Sequence, residues 1–389
     1  MKVKCIHIIT KLELGGAQDN TLYTLEALEH DRYEKILITG EGGILDLEAK
    51  KSNKYETYFL KNLVRKISPI NDLIAFTKLY ALIKKLKPDI VHTHSSKAGI
   101  LGRWAAYFSG VPIIIHTYHG FGFNKYQNMF YRNILIFVEK LSSKITTHLI
   151  TVAEDNVRTL IKFNIAKKEK VTAIHSGIRR LKQHYTKSDV QNLIPLYKNE
   201  RIVANVSCLK PQKNPVDFVM LAKIIKYDYH FEDVKFILIG DGELRTEVEN
   251  AVKRYELGDS CLLIGWRRDA QKIVQQSDIF VLTSLWEGLP RALVEAMYME
   301  KPSVVYDVDG TRDIIKSGNN GFLIPVKNIN LMAEKVSFLL KSSEERIRLG
   351  KEAKSTLNES FFIENMVTAI DRIYSALIES KRSGQHKYC

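Results

Sequence analysis

The chain has 389 residues, 45% of them apolar and 26% charged, and a formal charge of +14. That length exceeds one ordinary hydrophobic core and calls for two domains, and the composition excludes a disordered or collagen-like chain. Four cysteines without paired spacing, Cys5, Cys208, Cys261 and Cys389, argue against a disulfide framework or a cysteine zinc site and fit a reducing compartment.

The opening apolar run at 3–9 is too short for a signal peptide and reads as a first β-strand. No uncharged stretch approaches the ~20 residues a spanning helix needs, so the expected location is cytoplasmic, with any membrane association peripheral and at the inner face. Residues 1–200 hold 31 Lys and Arg against 18 Asp and Glu, a balance of +13, which leaves +1 for the rest. This lopsided charge suits either a solvated basic surface or a face for anionic lipid or phosphate. No established nucleic-acid recognition signature accompanies it, and nucleic acid is not an expected partner.

In chain order, strands are expected at 3–9, 35–39, 89–92, 112–116 and 147–151, with helices at 69–86, 97–108 and 126–142. The second half repeats the pattern, with strands at 201–206, 234–239, 261–264, 278–282 and 302–305. Its helices are expected at 215–226, 243–256, 268–276, 290–299, 330–340 and 343–356. Such alternation predicts an α/β fold of two doubly wound, Rossmann-like domains with parallel sheets. The domains are expected at 1–185 and 195–360, joined by a polar seam at 180–200. A last helix at 361–379 is expected to pack back on the first domain, and 380–389 reads as a polar tail. Ligands of such sheets bind at the strands' carboxyl ends, so the expected site is an interdomain cleft.

Several loops at those strand ends carry chemistry. Leu14-Gly15-Gly16-Ala17-Gln18 opens a helix, where free backbone N–H groups can meet an anion; an ordinary turn is the equal alternative. It lacks the G-x-G-x-x-G pattern of dinucleotide binders. His92 and His94 form an H-x-H pair with Ser96 and Lys97 close behind, and no third metal ligand at convincing spacing, so no metal is expected. His119 stands just past a strand end before Gly120, where an imidazole can act on a reacting centre. The aromatic and basic segment 121–132 suits a membrane interface or an ordinary buried helix start.

Past residue 200, Lys210 and Lys213 follow a strand, where each can neutralise a diphosphate or simply be solvated. The most informative stretch is Trp286-Glu287-Gly288-Leu289-Pro290-Arg291-Ala292-Leu293-Val294-Glu295. Glu287 lies in a strand-to-helix loop, and Glu295 lies inside the helix that Pro290 opens. Between them, the amides around Gly288 and Leu289 and the positive helix end suit a phosphate. Two hydroxyl-binding carboxylates around an anion site suggest a ligand with sugar, phosphate and ribose. Gly310 and Thr311 offer amides at another helix start.

Taken together, Gly15 to Gln18, His92 to Arg103, His119-Gly120, Lys213, the Glu287/Glu295 pair and the Gly310 loop resemble the retaining glycosyltransferases of family 4. The resemblance spans nearly the whole chain and implies the GT-B architecture. It further implies that Glu295 holds the ribose of a nucleotide-sugar donor and Glu287 the sugar hydroxyls. Lys213, the amides of Gly288, Leu289 and Pro290's helix, and Gly310 would hold the diphosphate, with Lys210 adding charge. Gly16 would approach the diphosphate or acceptor, and His119 would sit beside the donor sugar. The implied donor is a UDP-sugar, with no cofactor and no metal. The implied acceptor is a lipid-linked sugar or growing oligosaccharide for capsule, lipopolysaccharide or a related polymer, met through Ser96 and Lys97 at an anionic membrane surface. A small soluble acceptor, or a silent sugar-nucleotide-binding protein, are the alternatives. Two departures stand out: Cys208 occupies the place of a family arginine, and Ser176-Gly177-Ile178-Arg179 replaces Asn-Gly-Ile-Asp.

Overall fold

A computed structural model describes residues 2–181, 185–186, 189–190, 193–194 and 200–384. The chain divides into two compact units, Met1–Gly177 with Ser360–Cys389, and Ile178–Glu359. Parts of the expected seam at 180–200, and tail residues 385–389, lie outside the described residues.

The first unit contains β1 (Val3–Ile9), β2 (Tyr33–Thr39), β3 (Glu56–Phe59), β4 (Ile90–His94), β5 (Ile113–Tyr118), β6 (His148–Thr151) and β7 (Val171–Ala173). They form one parallel sheet in the order β3-β2-β1-β4-β5-β6-β7. Both faces are covered, so β4 and β5 are buried at every position and read as continuous runs instead of alternating ones. The helices are α1 (Gly16–Ala27), α2 (Asp46–Lys51), α3 (Pro69–Leu86), α4 (Ser96–Phe108), α5 (Met129–Lys144) and α6 (Glu154–Lys162). The pattern at 126–142 begins as a helix only at Met129, because the Asn128 side chain caps it by accepting from the Phe130 amide. Two glycines let α4 lie close on the sheet. A Cβ on Gly99 would meet the His116 ring at 2.4 Å, and one on Gly102 would meet Thr93 at 2.8 Å.

In the second unit, β8 (Arg201–Val206), β9 (Val234–Ile239), β10 (Cys261–Leu263), β11 (Ile279–Leu282), β12 (Ser303–Tyr306) and β13 (Phe322–Ile324) form a second parallel sheet. Its order is β10-β9-β8-β11-β12-β13. Around it lie α7 (Pro215–Lys223), α8 (Arg245–Arg254), α9 (Ala270–Gln276), α10 (Arg291–Tyr298), α11 (Ile329–Lys341) and α12 (Ser343–Ser355). The helical run expected to reach 226 ends as α-helix at Lys223 and widens into a π-turn, Ile224–Asp228.

The last helix, α13 (Ile363–Arg382), returns to the first unit. Its Met366, Ile370, Tyr374 and Leu377 join Cys5, Tyr33, Ile90 and Ile113 in one apolar cluster. Asp371 fixes its register by pairing with Arg32 at 2.8 Å and accepting from the Tyr33 hydroxyl at 2.6 Å. In each sheet the strand order reverses once, between β1 and β4 and between β8 and β11. These are the switch points where the adjoining loops part and leave room for a ligand.

Candidate functional site

In the second unit the switch-point loops are 207–214 after β8 and 283–290 after β11. They are stitched together. The Leu285 amide donates to the Gln212 carbonyl at 2.8 Å, and the Gln212 carboxamide donates to the Trp286 carbonyl at 2.8 Å. The Thr283 hydroxyl lies 3.1 Å from the Lys213 carbonyl and 3.0 Å from that of Asn214. This stitching brings the Lys213 ammonium onto the buried Glu287 carboxylate as an ion pair. Burial works against the Lys213 charge, but Glu287 outweighs it and raises the ammonium's pKa, so the lysine stays cationic.

Lys210 stands in the same loop, where its carbonyl accepts from the amides of Lys213 at 2.9 Å and Asn214 at 3.2 Å. Gly288, Leu289 and Pro290 are buried just ahead of α10, and the Pro290 carbonyl accepts from the Leu293 and Val294 amides. One turn into α10, Glu295 pairs with Arg291 at 3.1 Å. The loop after β12 joins them through Gly310, whose φ is +74° and whose missing Cβ would stand 1.6 Å from the Gly288 carbonyl oxygen. Only glycine fits there on both counts. Lys213, Glu287, Gly288 and Gly310 are therefore brought together, with Glu295 on the adjoining helix. Arg291 was missed by sequence reading because a helix-start arginine is usually solvated.

The first unit's loops gather a second set. Gly16 begins α1, and Gln18 holds the loop ahead of it by donating to the Lys11 carbonyl at 3.1 Å. Past β1, the Thr10 hydroxyl bonds to that of Ser95 at 2.7 Å and accepts from the Ala98 amide at 3.2 Å. That contact fixes the start of α4, where Ser96 faces the Gly122 loop. Lys97 turns towards α3 and pairs with Asp72 at 2.6 Å and with the Lys66 carbonyl.

His119 lies immediately past β5, and its Nε2 meets His94 Nδ1 at 3.0 Å. His94 Nε2 in turn meets His7 Nδ1 at 3.0 Å. The sequence offers no third imidazole near the H-x-H pair, yet β1 supplies one, because His7 stands opposite His92 in the parallel β1–β4 register. Nothing local marks His7; the signal becomes readable only once β1 and β4 are neighbours. His7, His92 and His94 are buried, with ring nitrogens within 4.8 Å of one another. Burial drives the His7 imidazole down to about 3, with Lys35 adding to the effect. Burial, then neighbouring charges, holds His92, His94 and His116 well below the usual histidine range. All four are neutral at physiological pH. Beneath them Arg103 pairs with Glu139 at 2.8 Å, and Glu139 also accepts from the Tyr118 hydroxyl at 2.7 Å.

The arrangement in the second unit can hold an anion against a cation and helix amides while a carboxylate accepts from hydroxyls. The first unit presents an imidazole just past a strand end. Residues 14–180 match the model described as Glycosyltransferase Family 4, and residues 187–356 match Glycosyl transferases group 1. Over 386 residues, 98% of each chain, the protein is 32% identical to an Escherichia coli UDP-Gal:alpha-D-GlcNAc-diphosphoundecaprenol alpha-1,3-galactosyltransferase. It is 26% identical, over 79% of its length and 83% of the relative's, to a Campylobacter jejuni N,N'-diacetylbacillosaminyl-diphospho-undecaprenol alpha-1,3-N-acetylgalactosaminyltransferase. Among solved structures, Anabaena Alr3699/HepE in complex with UDP and glucose superposes with a TM-score of 0.81 at 17% identity, covering 96% of this chain and 100% of that one.

Proposed function

We propose a donor, an acceptor and a stereochemical course from one premise: the chain belongs to the glycosyltransferases of family 4 and is a glycosyltransferase of the GT-B fold. The donor is a UDP-hexose or UDP-N-acetylhexosamine. The acceptor is a sugar carried on a lipid diphosphate, and the product feeds cell-surface polysaccharide synthesis. Likeness along 98% of a galactosyltransferase whose acceptor is a diphosphoundecaprenol-linked sugar supports this pairing.

The Lys213–Glu287 pair at the β8/β11 switch point carries the donor half. Lys213, with the amides of Gly288 and Leu289 and the loop of Gly310, stabilises the departing diphosphate without a metal. Lys210 adds charge to the same loop. Glu287 orients the sugar hydroxyls, and Glu295 holds the ribose. In the first unit, Gly16 approaches the diphosphate or the acceptor, His119 serves the reacting sugar, and Ser96 and Lys97 stand on the acceptor side. The bond from the anomeric carbon to the diphosphate oxygen breaks as the acceptor oxygen bonds to that carbon on the same face. The acceptor's proton passes to the leaving phosphate oxygen, and the configuration is retained.

A membrane face completes the reading. On α5, Met129, Phe130, Ile134 and Phe137 are exposed, with Phe130 at 75%. The same helix carries Arg132, Lys140 and Lys144, while its one acid, Glu139, is buried on Arg103. An apolar stripe flanked by cations suits an anionic bilayer surface. No helix among the described residues is long and apolar enough to cross a membrane.

The test is a panel of UDP-sugars offered with a diphosphoundecaprenol-linked sugar and with its water-soluble counterpart, with and without a chelator. The expected result is chelator-resistant transfer to the lipid-linked acceptor, with an α-linked product by NMR. A β-linked product removes retention. Transfer to the soluble acceptor alone favours a small-molecule role, and donor binding without turnover favours a silent binding protein.

A further inference from the structure

The imidazoles behind His119 do not end at His7. The far nitrogen of His7, Nε2, lies 3.1 Å from the Tyr374 hydroxyl. That hydroxyl lies 2.6 Å from His92 Nδ1, and His92 Nε2 lies 2.7 Å from the Thr117 hydroxyl. The resulting line runs His119, His94, His7, Tyr374, His92, Thr117, each step a single hydrogen bond. His7, His92, His94 and Tyr374 are all at least 97% buried by exposure. A neutral imidazole has one N–H and one lone pair, so one that accepts on one side must donate on the other. Tyr374, with one proton, can likewise accept from one neighbour and donate to the next. The protons along the line are therefore correlated, and reversing one link reverses its neighbours.

We propose that His94, His7, Tyr374 and His92 form a buried relay of positioning residues that holds His119 in one ring orientation and one tautomer. His94 takes Nε2 of His119, which fixes whether Nδ1 serves as a donor or an acceptor. The ring need not choose a tautomer when a substrate arrives, because the choice is made in the core. The same three imidazoles are within ligand reach of one another. However, the nitrogens a cation would take are engaged in the relay. Among the described residues no carboxylate hydrogen-bonds to His7, His92 or His94, so a buried double charge would go unbalanced.

The relay is directly observable in the full-length, substrate-free enzyme labelled with 15N-histidine. Scalar couplings between nitrogens across the His119–His94 and His94–His7 bonds are expected, with each ring showing one protonated nitrogen. Tyr374→Phe keeps the ring and removes the hydroxyl that joins His7 to His92. In that variant the His119 nitrogen signals should shift or broaden as the tautomers exchange. The kcat should fall about tenfold while the donor KM stays within about twofold. Absent N–N couplings in the native protein, unchanged His119 signals in Tyr374→Phe, or one equivalent of tightly bound metal in the purified protein would each overturn the relay. The kinetic expectation rests on His119 serving the transfer reaction, but the couplings do not. A relay seen by NMR with normal kcat in Tyr374→Phe would therefore remove the functional role of His119 and leave the relay standing.

Discussion

Glu287 and Lys213 are 74 positions apart and meet as an ion pair. Burial opposes the ammonium's charge, and the Glu287 carboxylate keeps it charged. Glu287→Gln keeps the shape and one acceptor oxygen while removing the charge. We expect kcat/KM to fall about 100-fold or more with an unchanged far-ultraviolet spectrum, and near-native turnover would remove Glu287 from the machinery. The sequence displayed the Glu287/Glu295 spacing, the strand before it and the proline at the helix start, because those signals are local. It did not display that Gly310 is pressed onto the Gly288 carbonyl, because that depends on how distant loops pack; the Arg291–Glu295 pair, one helical turn apart, was local and was passed over. Lys97 shows the same limit: the sequence places it in an H-x-H-S-S-K run but does not display that its ammonium ties α4 to Asp72 and the Lys66 carbonyl.

Among elements, those with long, uninterrupted apolar or helical patterns were legible to the residue: β1, α3, β8 and β9 begin and end where the pattern does. The edge strands β3, β7 and β13 went unread, whereas β10, equally short and also at an edge, was found at 261–264. The segment 121–132 was ambiguous for a physical reason. Phe123 is buried and Phe130 is exposed, so one aromatic run serves both the core and the surface. Exposure on α5 converts that ambiguity into a test. Sedimentation with vesicles containing anionic lipid should retain the native protein at low salt and release part of it at 1 M salt. Phe130→Ser combined with Phe137→Ser should lower partitioning about tenfold or more. Equal binding of native and variant proteins would assign the attraction to charge alone.

For the whole molecule, the four buried neutral histidines couple folding to acidity. The folded-state pKa of His7 is about 3, and those of His92, His94 and His116 lie well below the ordinary 6.5. The groups facing them include Lys35 and Arg103, which also oppose protonation. An unfolded chain regains the ordinary value and binds protons that the folded one refuses. Stability is therefore full above about pH 6.5 and lost as pH falls towards the folded values. Each imidazole costs up to about 1.4 kcal/mol per pH unit in that window. Denaturant midpoints should drop steeply between pH 6 and pH 5, and a flat profile from pH 7 to pH 5 would show that these rings are hydrated. The fold class was legible because alternating strands and helices leave few arrangements, while the return of α13 to the first sheet was suggested only by its position after the last unit. That return has a consequence for the order of events at the ribosome. The strands β1 to β7 are made first, but the helix that covers Cys5, Tyr33, Ile90 and Ile113 emerges only after the entire second unit has been synthesised. The nascent first unit must wait with an uncovered sheet face and without Tyr374, so it becomes whole, and His119 gains its full support, only after the second unit has been made.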